Sequence, residues 1–294
     1  MNPGLLYATG AFAFWGLFPL YFKLIADVAP LEVVLQRSVW SLVFLLAVLA
    51  WQRRWGWLRQ ALRNPRQLGA MALSAWLLSA NWLTYVWAVQ SGQVIEASLG
   101  YFINPLVSVV LGVVILKERL RRMQWAAVAM AAAGVLWLTV QSGRLPWIAL
   151  VLALCFGFYG LLRKTTALGA LEGLTLETML LAPVMVPALA WWTWRYGGVF
   201  MQGDPALIGW ILMSGPLTAL PLLLFGAGAR RLPLATLGLM QYIAPTIQLM
   251  LGVWIFHEPF EQTRLTGFVL IWLALLIVSV DAIRNARQAR TESN

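Results

Sequence analysis

The chain has 294 residues, 61% of them hydrophobic and 11% charged, with a formal net charge of +10. Soluble domains carry about a quarter charged residues, and a chain of mean hydropathy +0.76 has too few charges to cover a soluble surface. The same apolar content excludes disorder, and the single cysteine, Cys155, excludes a disulfide scaffold.

Crossing a bilayer takes a helix of about 20 mostly apolar residues. In chain order such stretches lie at roughly 4–23, 30–51, 68–89, 94–116, 123–141, 145–163, 173–194, 205–228, 234–256 and 265–283. They are continuously apolar rather than alternating, so helices are expected instead of barrel strands. The first has no basic leader and is too long for a signal-peptide core, so it is expected to be a retained span. The longest loop, WQRRWGWLRQALRNPRQ, is expected to lay a short helix on the membrane surface. The expected fold is an all-α polytopic membrane protein of ten transmembrane helices.

Basic residues orient the chain. With the N-terminus inside, sixteen of the 21 Lys and Arg fall in inner loops or the C-terminal tail, and four outside. Such a bias predicts cytoplasmic N- and C-termini. The positive charge then reflects topology and attraction to anionic lipid, not a nucleic-acid partner.

The chain repeats itself. Residues 101–118, YFINPLVSVVLGVVILKE, align without gaps on 241–258, QYIAPTIQLMLGVWIFHE, sharing Pro105/Pro245, Gly112/Gly252 and Glu118/Glu258. The same 140-residue offset sets Leu31-Glu32 on Leu171-Glu172 and Arg37 on Glu177; a slightly different one sets Trp15-Gly16 on Tyr159-Gly160. The expected organisation is two five-helix repeats, 1–143 and 144–294. Five is odd, so the second copy is inverted, an architecture of secondary transporters.

Several chemistries lack their residues. One histidine and one cysteine give no usual zinc or heme site, and His257 beside Glu258 reads as an interfacial cap. No GxxxxGK[ST] loop appears, Gly226-Ala227-Gly228 ends an apolar helix instead of opening a nucleotide-binding unit, and nothing matches GxSxG. No enzyme activity, metal or cofactor is expected.

Polar residues at membrane depth are costly and point to function. Arg37 lies roughly 10 Å into the second span, with Glu96 as its nearest expected acid, and Glu177 is its counterpart in the second half. The two are expected to serve opposite gates or coupling, not to pair with each other. Pro105 and Pro245 are read as paired helix breaks, which in transporters flank the substrate site. Tyr101, Asn104, Gln241 and Tyr242 precede them, and Asn81, Trp82 and Tyr85 lie on the third span. Together they form the expected substrate site, an aromatic and amide lining suited to an amphipathic organic solute. Tryptophans such as Trp51, Trp55, Trp57, Trp191, Trp192 and Trp194 read as an interfacial belt. The small face of the fifth span, from Ala126 to Gly134, is expected to pack against another helix, in the bundle or in a second copy.

The run EASLGYFINPLVSVVLGVVILKERL (96–120), with NWLTYVWAVQSG (81–92) before it and PLEVVLQR at 30–37, closely resembles the RarD-type branch of the EamA family, within the drug/metabolite transporter superfamily. The resemblance covers essentially the whole chain. It implies ten helices in two inverted repeats and a bacterial inner-membrane secondary transporter. RarD-type proteins carry the label chloramphenicol-sensitive protein, and relatives in the superfamily move amino acids, metabolites or nucleotide sugars. The second-half motif is looser, with Ala244 where the first half has Asn104. The leading expectation is a carrier whose partners are a small-molecule substrate and the bilayer. A membrane enzyme lacks a visible dyad, a receptor or scaffold lacks an extramembrane domain, and a channel lacks a charged ring or filter loop.

Overall fold

The computed structural model describes residues 2–53, 55–91, 94–141, 147–201, 203–255, 265–267, 269–277 and 280–281. Among these residues the regular structure is helical, with no strand. Helix α1 (Pro3–Gly16) starts where the Asn2 side chain accepts the Gly4 N–H at 2.9 Å, with Pro3 at its first position. The chain turns at Leu17 and resumes as α2 (Phe18–Leu24), which carries Pro19 in its first turn. Helix α3 (Pro30–Gln52) also opens on proline and ends at Arg53, whose φ of 51° is left-handed. The basic loop holds the short helix α4 (Gly56–Leu62), as the sequence suggested. There follow α5 (Pro65–Gln90), α6 (Val94–Val114), α7 (Arg122–Gln141) and α8 (Trp147–Thr165).

The second half adds α9 (Ala170–Tyr196), ended by Gly197 at φ 91°, and the single turn α10 (Gly198–Met201). Helix α11 (Pro205–Ala229) is capped by Asp204, which accepts the Ala206 N–H at 2.9 Å. It leads to α12 (Leu234–Met240), α13 (Ile243–Trp254) and an apolar helix over Leu265–Ile277, here α14.

Among the described residues, six helical segments are long and apolar enough to cross a membrane: Pro3–Leu24, Pro30–Gln52, Arg122–Val140, Trp147–Thr165, Ala170–Tyr196 and Pro205–Ala229. Helices also occupy the other four expected stretches, but with polar or shorter apolar runs. Helix α5 has Arg66 and Gln67 in its first turn and carries Asn81; the ninth stretch is interrupted at Gln241-Tyr242; and apolar Gly100–Val114 and Leu265–Ile277 are shorter. Large apolar side chains such as Trp76, Val140, Val184 and Trp194 are exposed, a surface that water penalises and lipid accepts.

Helix pairs pack in a recurring scheme: α1 on α11 and α13, α3 on α9 and α11, α5 on α8 and α9, and α6 on α8 and α12. Close approach depends on glycine. A Cβ on Gly215 would lie 2.4 Å from the Trp40 backbone, and one on Gly134 would lie 2.9 Å from the Gly267 carbonyl oxygen. The small face of α7 is turned inward, with Ala127 and Ala131 buried in a core shared with Ile271 and Ala274.

The largest apolar core gathers Ala8, Phe12, Tyr159, Phe225, Ala229, Leu232 and Leu234. It fills the half of the bundle where α1 begins and where α8 and α11 end. The opposite half holds a cavity beside two smaller apolar clusters, one around Ile25, Val33, Val199 and Ile211 and one around Ala88, Ile148 and Leu152.

Candidate functional site

That cavity, of about 210 Å³, is bounded below by the large apolar core. Helix α5 presents Asn81, Trp82 and Tyr85, the first and last one turn apart on one face. Helix α6 adds Gly100, Tyr101 and Asn104, and the α12–α13 junction adds Gln241, Pro245 and Gln248. Arg37 enters from α3, and Trp15, Phe18, Phe22 and Phe156 supply aromatic wall.

Proline shapes two sides of this space. Pro105 has no N–H to give the Tyr101 carbonyl four residues earlier, yet α6 continues through it. At Pro245 the same loss accompanies a real interruption. The Gln241 carbonyl is taken instead by the Ala244 N–H at 3.2 Å, and Gln241 and Tyr242 bond back three residues rather than four. Tyr101 and Gln241, the two residues whose carbonyls the prolines release, both line the cavity.

Amide side chains tie the walls together. Asn104 Nδ2 donates to Gln241 Oε1 at 2.7 Å, and Gln241 Nε2 donates to Ser108 Oγ at 3.0 Å. Asn81 Nδ2 donates to the Leu152 carbonyl at 2.9 Å. Asn104 Oδ1 is buried with no hydrogen bond from the described residues. Tyr85 and Tyr101 meet edge to face, with ring centroids 6.0 Å apart.

Arg37 is the one formally charged residue among the described residues that line the cavity. Its Nε donates to Thr218 Oγ1 at 3.0 Å, and its Cζ lies 4.7 Å from the Trp82 ring centroid and 6.0 Å from that of Phe18. No ion pair joins it to a carboxylate among the described residues. The side chain of Glu96, its expected neighbour, lies outside what is described, as do His257 and Glu258.

One expected solute contact and one expected gate residue lie away from the cavity. Tyr242 is fully buried off the cavity and donates its hydroxyl to the Phe102 carbonyl at 3.0 Å, stitching α6 to the α12–α13 junction. Glu177 lies in the closed half. It accepts from Ser74 Oγ at 2.5 Å, with Arg163 Nη1 3.7 Å away; both charged side chains are withdrawn from solvent. The Arg163 guanidinium also donates to the Ala170 carbonyl at 2.9 Å, in a niche that Gly173 and Gly226 keep open. Nearby, Glu118 accepts the Leu234 and Ala235 N–H groups at 2.7 and 2.9 Å, capping α12, and lies 3.7 Å from Lys164 Nζ.

Sequence reasoning missed Arg163, which reads as one more inner-loop charge beside Lys164. The available signal was the short connection 166–169, which returns the chain so that Arg163 near the end of α8 meets Glu177 in the first turns of α9. Trp15 was noticed only as a repeat marker. Its carbonyl accepts from Gln248 Nε2 at 3.1 Å, and Gly16 leaves room for Ile247, so α1 lies directly against α13.

The model of the EamA-like transporter family matches residues 2–140. An uncharacterized transporter of Pseudomonas aeruginosa is 47% identical, covering 98% of this chain and 97% of its own. The protein RarD of Streptomyces exfoliatus is also 47% identical, over 98% of this chain and 91% of its own. A solved crystal structure superposes with a TM-score of 0.72 at 17% identity, covering 94% of this chain and 97% of that one, which is a likeness of fold.

Proposed function

The chain belongs to the RarD-type branch of the EamA family of drug/metabolite transporters, and from that premise we propose that it is an inner-membrane carrier that moves small organic solutes by alternating access. Its ten spans form two inverted repeats, 1–143 and 144–294, with both termini cytoplasmic. Asn81, Trp82, Tyr85, Tyr101, Asn104 and Gln241 contact the solute, and Arg37 stands at its outer side.

The observation that carries this proposal is that residues 140 apart line one cavity. Trp82 and Leu222, Tyr101 and Gln241, and Asn104 and Ala244 all face it. Such pairing supports a cavity on the axis relating the halves. Helix packing supports the same relation. Exchanging each of the first five spans with its counterpart turns α1 on α11 into α8 on α5, α3 on α11 into α9 on α5, and α1 on α13 into α8 on α6, and all of these pairs occur. Tyr242 bonds to Phe102, its own counterpart.

With the N-terminus inside, the half that holds the cavity faces outward. The inner half is shut by stacked Tyr159 and Phe225, by the Arg163–Glu177 pair and by the Glu118 cap. Two oppositely oriented copies of one shape allow an inward-open state resembling this one with the halves exchanged. In that state the pairs on the inner side part, and Glu177 belongs to a gate rather than to the solute site.

Solute counterflow in proteoliposomes tests the proposal. Vesicles preloaded with an unlabelled solute should transiently accumulate its labelled form above the outside concentration, with and without a pH gradient. A panel spanning amphenicols, amino acids and aromatic acids that yields no counterflow with folded protein would contradict it.

A further inference from the structure

We infer that the cavity selects an organic monoanion, an aromatic or similarly flat apolar body carrying a single carboxylate, and that Arg37 is the residue that holds the charged group. The inference rests on the reading of the cavity as the solute site and names the chemistry of its occupant.

A cation away from bulk water is costly unless it is paired and hydrogen-bonded. Arg37 has one protein hydrogen bond, from Nε to Thr218, and two aromatic faces, Trp82 and Phe18, beside it. Ring contacts offset part of the cost. They also fix the guanidinium plane while leaving the terminal nitrogens without a protein acceptor among the described residues. Planar donors of this kind match a carboxylate in bidentate fashion.

The rest of the lining limits what accompanies that charge. None of the described lining residues is acidic, so an ammonium group on the solute meets no counter-ion among them. A second anionic group meets no second cation. Trp15, Phe156, Tyr85 and Tyr101 instead offer apolar area for a ring. A zwitterion, a dianion and a cation are therefore each disfavoured relative to an aromatic monocarboxylate.

Calorimetric titration of the purified full chain in detergent tests this with four probes of matched shape: 3-phenylpropionate, its neutral amide, phenylalanine and phenethylamine. The acid should bind at least about tenfold more tightly than the amide, as expected for a charge-assisted bond, with the zwitterion and the amine weaker still. Arg37→Gln should erase the acid's advantage, and Arg37→Lys should keep part of it, since the charge remains without the fork. Binding of the amide or amine as tightly as the acid overturns the inference. So does acid binding unchanged in Arg37→Gln, or an acid that fails to bind at millimolar concentration.

Counterflow with the same probes separates the two proposals. Counterflow of the neutral amide without that of the acid overturns anion selection and leaves the carrier intact. Tight, Arg37-dependent acid binding with no counterflow supports anion selection and overturns the carrier.

Discussion

Replacing Glu177 by glutamine should be among the most destabilising single changes available in this chain. The Arg163 and Glu177 side chains are 0% and 1% exposed, and Nη1 lies 3.7 Å from Oε1. Glutamine keeps an oxygen for Ser74 but removes the charge opposite Arg163. The guanidinium cannot swing to water, because Gly173 and Gly226 wrap it closely enough that a Cβ at either position would lie 2.0 and 2.7 Å from its nitrogens. Removing one partner of such a buried pair costs about 3–5 kcal/mol. At about 2 °C per kcal/mol for a chain of this size, the melting temperature should fall by roughly 6–10 °C. Thermal unfolding of the detergent-purified protein, followed by tryptophan fluorescence, reads this directly. The double variant Arg163→Met/Glu177→Leu should recover most of the loss, since an apolar replacement of a buried pair is often neutral or stabilising. A single variant within 2 °C of the parent on that scale, or a double variant no more stable than the single, refutes the reasoning.

Asn104→Leu should sharply reduce counterflow, because it removes a solute contact and the Nδ2 donor to Gln241, at a stability cost of about 1–3 kcal/mol measured by the same melt. Gly238→Ala should destabilise more than its size suggests, since the new Cβ would lie 2.8 Å from the Pro105 carbonyl oxygen and from Ser108 Cβ; limited proteolysis should show α12 loosened from α6, and a variant as resistant as the parent would count against the tight α6–α12 contact. Reporter fusions after Arg66, Arg122 and Arg231 should all report cytoplasm; periplasmic signals at two of them would overturn the proposed orientation.

Much of the fold is legible in the sequence because lipid leaves few alternatives: a long apolar run must close its backbone hydrogen bonds internally, as a helix. Proline marked where that closure fails, and it located Tyr101, Asn104 and Gln241 beside the cavity. Side-chain direction was less legible. Tyr242 adjoins Gln241 in sequence but points away from the cavity, because adjacent residues on helical backbone project about 100° apart. Glu177 aligns with Arg37 in sequence, yet Arg37 lines the cavity while Glu177 is enclosed beside Arg163, so their surroundings differ. Arg163 was hidden because a basic residue at a span end looks the same in sequence whether it meets water or is enclosed.

The most direct measurement is the two-sided accessibility of Asn104→Cys, in a Cys155→Ser background, to a membrane-impermeant thiol reagent in oriented vesicles. Alternating access predicts modification from either face, slowed from both by a transported solute. Modification from one face only would contradict it.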